Sequence, residues 1–161
     1  MLRLVISSLV LSLIVGGFGD ALCGQDRATV EPAVAYELAI FQFLASESLA
    51  TMEQYVTASP EVAAYALRRN IKLLESFIEQ EAFRKDEKVL AWDITLSYAR
   101  LGKLADRIGK KTEANDEYSR ALQASVRTGR RYESVRDLLL LVDKLDTQYL
   151  EEKQNRKLLE K

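Results

Sequence analysis

The chain has no histidine, a single cysteine, two prolines and seven glycines, and its 23 Lys and Arg residues nearly cancel its 24 Asp and Glu residues. Each scarcity excludes something. Without imidazole there is no His-based nucleophilic triad and no His metal site. Cys23 is the lone thiol, so the body that follows it is built without disulfides or thiolate metal cages. A formal net charge of −1 offers no basic domain or stripe for nucleic acid. Arg127, Arg130 and Arg131 form one local basic cluster, read as complementing a helix C-terminus rather than as an anion site. Four of the glycines (Gly16, Gly17, Gly19 and Gly24) lie near the N-terminus. The body is therefore poor in turn signals, and helix is the default expectation.

One long apolar run is present. Met1-Leu2-Arg3 gives a positive start, Leu4–Val15 is apolar apart from serines, and small residues follow from Gly16. That order matches a secretory signal peptide, and the run is shorter than the roughly 20 residues a membrane span needs. Gly17-Phe18-Gly19 and Ala21-Leu22-Cys23 both offer small residues to a signal peptidase. Cys23 also stands where a lipoprotein cysteine would, although Leu22 departs from the small residue expected before it. Residues 1–23 are thus a signal peptide or membrane-targeting segment that is cleaved, lipidated or retained as an anchor. Residues 24–31 are a flexible leader. Export without disulfides suits a bacterial periplasm or envelope.

The body, 32–150, reads as about five helices, followed by a polar tail at 151–161. Glu31-Pro32 opens the first, with Val34, Leu38, Phe41, Ala45, Leu49, Met52 and Val56 as its apolar stripe. Ser59-Pro60-Glu61 is a stop followed by a capped start. The second helix runs to about Ala82 with Ala63, Leu67, Ile71, Leu74, Phe77 and Ile78 inward, and Arg84–Lys88 is a charged break. The third, from about Asp86 to Ile108, has two apolar faces: Leu90, Ile94, Leu101, Ala105 and Ile108, and Val89, Trp92, Leu96 and Ala99. It therefore needs neighbours on two sides. The fourth, to about Val126, turns Ala114, Tyr118, Ala121 and Leu122 inward. The fifth carries Val135, Leu138, Leu139, Val142, Leu145 and Tyr149, and its tail is expected to fray or project.

The spacing in Tyr98–Leu122 resembles that of a tetratricopeptide repeat. Tyr98, Leu101, Gly102, Ala105, Gly109, Ala114, Tyr118 and Ala121 stand at that family's packing positions. Ala105 replaces the usual tyrosine and Tyr98 the usual tryptophan. The well-matched repeat covers about 95–128, and the flanking helices diverge, with Gln148 and Glu152 where a further repeat needs alanine and an aromatic. The last helix then acts as a cap. The resemblance implies an all-α fold of antiparallel hairpins stacked as a short solenoid, and a protein or peptide partner held in a groove. By register, Ala99, Lys103, Asp106, Arg107, Arg130, Glu133 and Asp137 would line that groove. Ala99 and Lys103 depart from the family's carboxylate clamp, which is not expected here.

No catalytic, cofactor-binding or metal-binding residue is expected. Gly109-Lys110-Lys111-Thr112 lacks the strand and earlier glycine of a phosphate loop. Glu79 with Glu81, and Glu151 with Glu152, read as solvated helix surface. The leading expectation is a non-enzymatic envelope scaffold, with membrane contact only through residues 1–23. The alternative is a structural subunit that self-associates through its terminal helix, where Leu138–Val142 is an unbroken apolar run.

Overall fold

A computed structural model describes the backbone of residues 32–159 and the side chains from Ala35 onward. Residues 1–31, where a signal peptide and a leader are expected from sequence, and the last two residues lie outside the described residues, as does the expected inward role of Val34. The described residues form five α-helices and no strand: α1 (Pro32–Thr57), α2 (Pro60–Ile78), α3 (Glu87–Arg107), α4 (Lys111–Arg127) and α5 (Val135–Leu159). A 3-10 segment, Glu81–Asp86, joins α2 to α3. The chain divides after Ile40 into two compact units. The described part of the first is the start of α1, where Tyr36 and Leu38 are exposed. The second, from Phe41 on, holds the rest of α1 and the other four helices.

Local chemistry sets the boundaries. Ser59 is extended and Pro60 takes the first turn of α2, where its missing N–H leaves nothing unpaired. Gly109 ends α3 in a left-handed conformation at φ +77°. Its N–H bonds Asp106 O at 3.0 Å and the next N–H, from Lys110, bonds Ala105 O at 2.9 Å. That pair is the Schellman closure, which needs a residue free of Cβ strain. Gly129 is likewise left-handed after α4, at φ +76°, but there the next N–H, from Arg130, bonds Thr128 Oγ1 at 3.1 Å instead. At the start of α5, Asp137 N–H donates to Ser134 Oγ while the Ser134 hydroxyl donates back to the Asp137 carboxylate at 2.7 Å. The Ser134 hydroxyl thus caps one free backbone N–H of the first turn, and the Asp137 carboxylate holds that hydroxyl in place.

The core is centred on α3, which packs on α2, α4 and α5. Leu90, Ile94, Leu96, Ala99, Leu101, Leu104 and Ala105 are all buried along it, so two of its faces are covered. Ala99, Ala121, Leu138 and Val142 form a fully enclosed cluster with Leu96. Close approach of α3 and α4 rests on Gly102. A Cβ added there would lie 2.2 Å from Tyr118 Cε1, well inside contact distance. The Tyr118 ring is buried and its hydroxyl donates to Asp106 at 2.8 Å, so it cannot swing aside freely.

Four details differ from the sequence reading. The buried face of α1 is Leu44, Thr51, Met52 and Tyr55, whereas Leu38 is exposed and Leu49 half-buried. Polar Thr51 and amphipathic Tyr55 carry burial that an apolar count overlooks. α2 stops at Ile78, because Phe83 turns back into the core. Its ring meets Phe77 at 5.2 Å and Phe41 at 5.8 Å edge-on, and the 3-10 segment accommodates that reversal. On α3, Val89 and Ile108 are exposed rather than inward. Finally, α5 continues as helix to Leu159, because its polar tail is tied to α1 through Tyr149 and Lys153.

Candidate functional site

Tyr55 of α1, Arg100 and Lys103 of α3, and Asp143 and Asp146 of α5 come from three helices and meet in one network. Arg100 Nε donates to Asp146 Oδ1 at 2.9 Å, Lys103 Nζ to Asp146 Oδ2 at 2.8 Å, and the Tyr55 hydroxyl to Oδ2 at 3.2 Å. Lys103 also reaches Asp143 at 2.6 Å. The side chains of Arg100, Lys103 and Asp146 are 12%, 16% and 11% exposed, so the charges are largely desolvated but mutually satisfied. Burial alone would favour neutral Lys103. Its bonds to Asp143 and Asp146 outweigh that and raise its pKa, so it stays an ammonium. Burial, and then the Asp146 charge, push the Tyr55 phenol up, so it stays a donor. Arg100 and Arg107 lie over the Tyr55 ring at 5.6 and 5.8 Å.

The expected groove residues fall into three settings. Lys103, Asp106 and Arg107 share the last turns of α3 with this network, and each is engaged: Lys103 by carboxylates, Asp106 by the Tyr118 hydroxyl, Arg107 by the Tyr55 ring. Ala99 is fully buried in the core against α4 and α5 and presents no surface to a partner. Arg130, Glu133 and Asp137 lie in the α4–α5 turn and the first turn of α5. There Arg130 stands 5.0 Å over the Trp92 ring, which itself stacks on Tyr132 at 6.5 Å, and Asp137 caps the helix. Glu133 is exposed. The repeat positions Tyr98, Leu101, Gly102, Ala105, Ala114, Tyr118 and Ala121 are brought together on α3 and α4. Tyr98 adds a 3.3 Å bond to Glu75 of α2.

An open groove of about 490 Å³ lies between α1 and α5, within the size range of ordinary ligand clefts. Ser46, Leu49, Ala50 and Glu53 line it from α1, related by steps of three and four residues that keep them on one helix face. Tyr149, Lys153, Arg156 and Lys157 line it from α5 in the same manner. Leu49 and Ala50 give it an apolar floor, and three cations lie along its α5 wall. Glu53, its one carboxylate, is held below the usual range, first by the bond from Lys153 and then by that from the Tyr149 hydroxyl. The Tyr149 phenol is pushed up to about 12 by burial and by that carboxylate. Glu53 is therefore a fixed anion near neutral pH, suited to holding the two walls together and not to proton transfer.

Sequence reasoning missed this groove. Lys153, Arg156 and Lys157 of its α5 half lie in the polar segment expected to fray or project, although they continue the Tyr149 register. Its α1 half alternates small, apolar and acidic residues, which carry no motif. Among the described residues no group of three or more acidic, cysteine or histidine side chains is placed to hold a metal ion. No described helix is long and apolar enough to cross a membrane. Compared with known proteins, the chain matches no family model, no curated protein and no solved structure.

Proposed function

We propose that this chain is a non-enzymatic scaffold of the bacterial envelope, a short tetratricopeptide-like stack that holds a protein or peptide partner between α1 and α5. The observation that carries the reading is the groove itself, with its apolar floor and its cationic wall of Lys153, Arg156 and Lys157. Lys153 is engaged by Glu53, and Arg156 stands 3.7 Å from Glu152. Lys157 completes a wall richer in cations than the opposite one, so the fitting partner is an extended or helical segment with apolar side chains flanked by carboxylates. The stacking part of the reading is supported by Gly102 beneath Tyr118 and by the Schellman closure at Gly109. Those are the two places where such a repeat needs a missing side chain.

Affinity capture from the native envelope with the full chain tests the proposal. The double charge reversal Arg156→Glu with Lys157→Glu should lose a partner that the wild type and a Lys72→Glu control on exposed α2 surface both retain. Equal recovery by all three would sink the groove assignment.

A second reading has its own observation. Leu140, Leu150, Leu158 and Leu159 of α5 are exposed, the last at 87%, which favours self-association through that helix. Light scattering after size-exclusion chromatography separates the two readings: a monomer supports the groove, and a defined oligomer dispersed by Leu140→Lys supports the subunit.

A further inference from the structure

Two donors one helical turn apart hold both oxygens of a single carboxylate in the groove between α1 and α5. From α5, Lys153 Nζ donates to Glu53 Oε1, and the Tyr149 hydroxyl donates to Oε2 at 2.8 Å. Their four-residue spacing puts both donors on one helix face, so together they match the two acceptor oxygens of an ionised carboxyl. The carboxylate they hold belongs to the chain itself, on the opposite wall. It is held lightly. The side chain of Glu53 is 45% exposed and that of Lys153 25%, and an ion pair so open to water contributes little, because solvent competes for both partners. Next to this pair, Leu49 and Ala50 form the apolar floor, four and three residues before Glu53, and Arg156 and Lys157 extend the α5 wall. Against those cations Glu53 is the one carboxylate of the lining, which leaves the groove with a surplus of positive charge.

We infer that Lys153 and Tyr149 are a carboxylate-recognition subsite, filled by Glu53 as an internal stand-in until an acidic side chain of the partner takes its place. This rests on the groove reading above and gives that groove a specificity. The exchange is one carboxylate for another, so Lys153 and Tyr149 keep their bonds and neither is left unmatched. Glu53, already half in water, is released to solvent at little cost. Because it is tethered beside its donors, however, it competes at a high effective concentration. A lone carboxylate does not displace it. The partner must also place an apolar side chain on Leu49 and Ala50, one turn along α1 from the subsite. A helix bearing leucine and glutamate three or four residues apart presents that combination on a single face. The groove thereby rejects acidic segments without the apolar neighbour and apolar segments without the acid.

The test uses the full chain and a fluorescein-labelled synthetic helix of leucine and glutamate in that spacing, its affinity read by anisotropy. A version with glutamine for glutamate is the control. Wild type should prefer the acidic helix. Glu53→Gln keeps the size of the side chain but cannot accept at two oxygens, so it frees the subsite. It should tighten the acidic helix about two- to fivefold and leave the neutral one unchanged. Glu151→Gln, which removes the same charge from exposed α5 surface, should not tighten it. Adding Tyr149→Phe to Glu53→Gln removes a donor and no charge, and should take most of the gain away. A Glu53 that served only as a tie between α1 and α5 predicts the reverse, weaker binding of both helices in Glu53→Gln. That result, an unchanged affinity, or no binding of the acidic helix by Glu53→Gln would overturn the inference. The groove reading is judged separately, by whether Arg156→Glu with Lys157→Glu loses the partner captured from the native envelope.

Discussion

Helix propensity and packing disagree about position 102, and the geometry decides between them. In an exposed helix interior, Gly→Ala gains about 1 kcal/mol. Here the new Cβ would stand 2.2, 2.4 and 2.9 Å from three Tyr118 ring atoms, so the ring must move and break its bond to Asp106. Gly102→Ala should therefore lose about 1–3 kcal/mol in urea unfolding, and a gain would show that the α3–α4 approach is looser than described. Gly109 behaves differently. Nothing lies within 4 Å of its added Cβ, so Gly109→Ala pays only for its positive φ, about 1–2 kcal/mol. Asp93 carries the residue-scale pH prediction. Its raised pKa makes the ionised form a cost to the folded state, absent well below 3.9 and fully present above about 6. On going from pH 7.5 to 5, the wild type should gain about 1.4 kcal/mol relative to Asp93→Asn in urea unfolding, about tenfold in the folding equilibrium. An unchanged difference would place Asp93 in ordinary solvent.

Among the elements, α1 is held by side chains more than by close backbone approach. Phe41 meets Phe83, Tyr55 meets Asp146, and Glu53 meets Tyr149 and Lys153. Removing the centre of that set should be severe. Asp146→Ala strands Arg100 as a largely buried cation and leaves Lys103 with Asp143 alone, and a loss of about 3–5 kcal/mol is expected by chemical denaturation. Replacing Tyr55 by Phe removes one bond and should cost about 1 kcal/mol. Helix existence was legible in the sequence because Pro60, Gly109 and Gly129 punctuate an otherwise glycine-poor body, and the inward positions of α2 and α4 followed from apolar spacing. The face of α1 was not legible. Thr51 and Tyr55 are buried there, with Asn70 and Asp146 opposite, and no count of apolar residues finds a polar interface. The end of α5 was hidden for a related reason. A polar segment reads as fraying until a partner for Tyr149 and Lys153 is known, and that partner lies 96 residues earlier in the sequence.

For the molecule as a whole, α3 and α5, the two helices that the repeat resemblance would turn toward a partner, are joined to each other and to α1 through Asp146. Lys103 and Arg107, expected to face a ligand, are engaged within the chain, and the open groove between α1 and α5 lies farther along α5, at Tyr149–Lys157. The place of this groove was not legible, because the ion pairs that engage Lys103 and tie Lys153 to Glu53 join residues far apart in sequence and are invisible to register. The most direct test of the scaffold reading is site-specific photocrosslinking of the full chain in its native envelope. A photoreactive residue is placed at Leu49 in the groove or, as a control, at Tyr65 of α2, which is 71% exposed. A discrete adduct to another protein from position 49, suppressed by Arg156→Glu with Lys157→Glu and missing from position 65, is the predicted result. No adduct from position 49, or the same adducts from both positions, would contradict it.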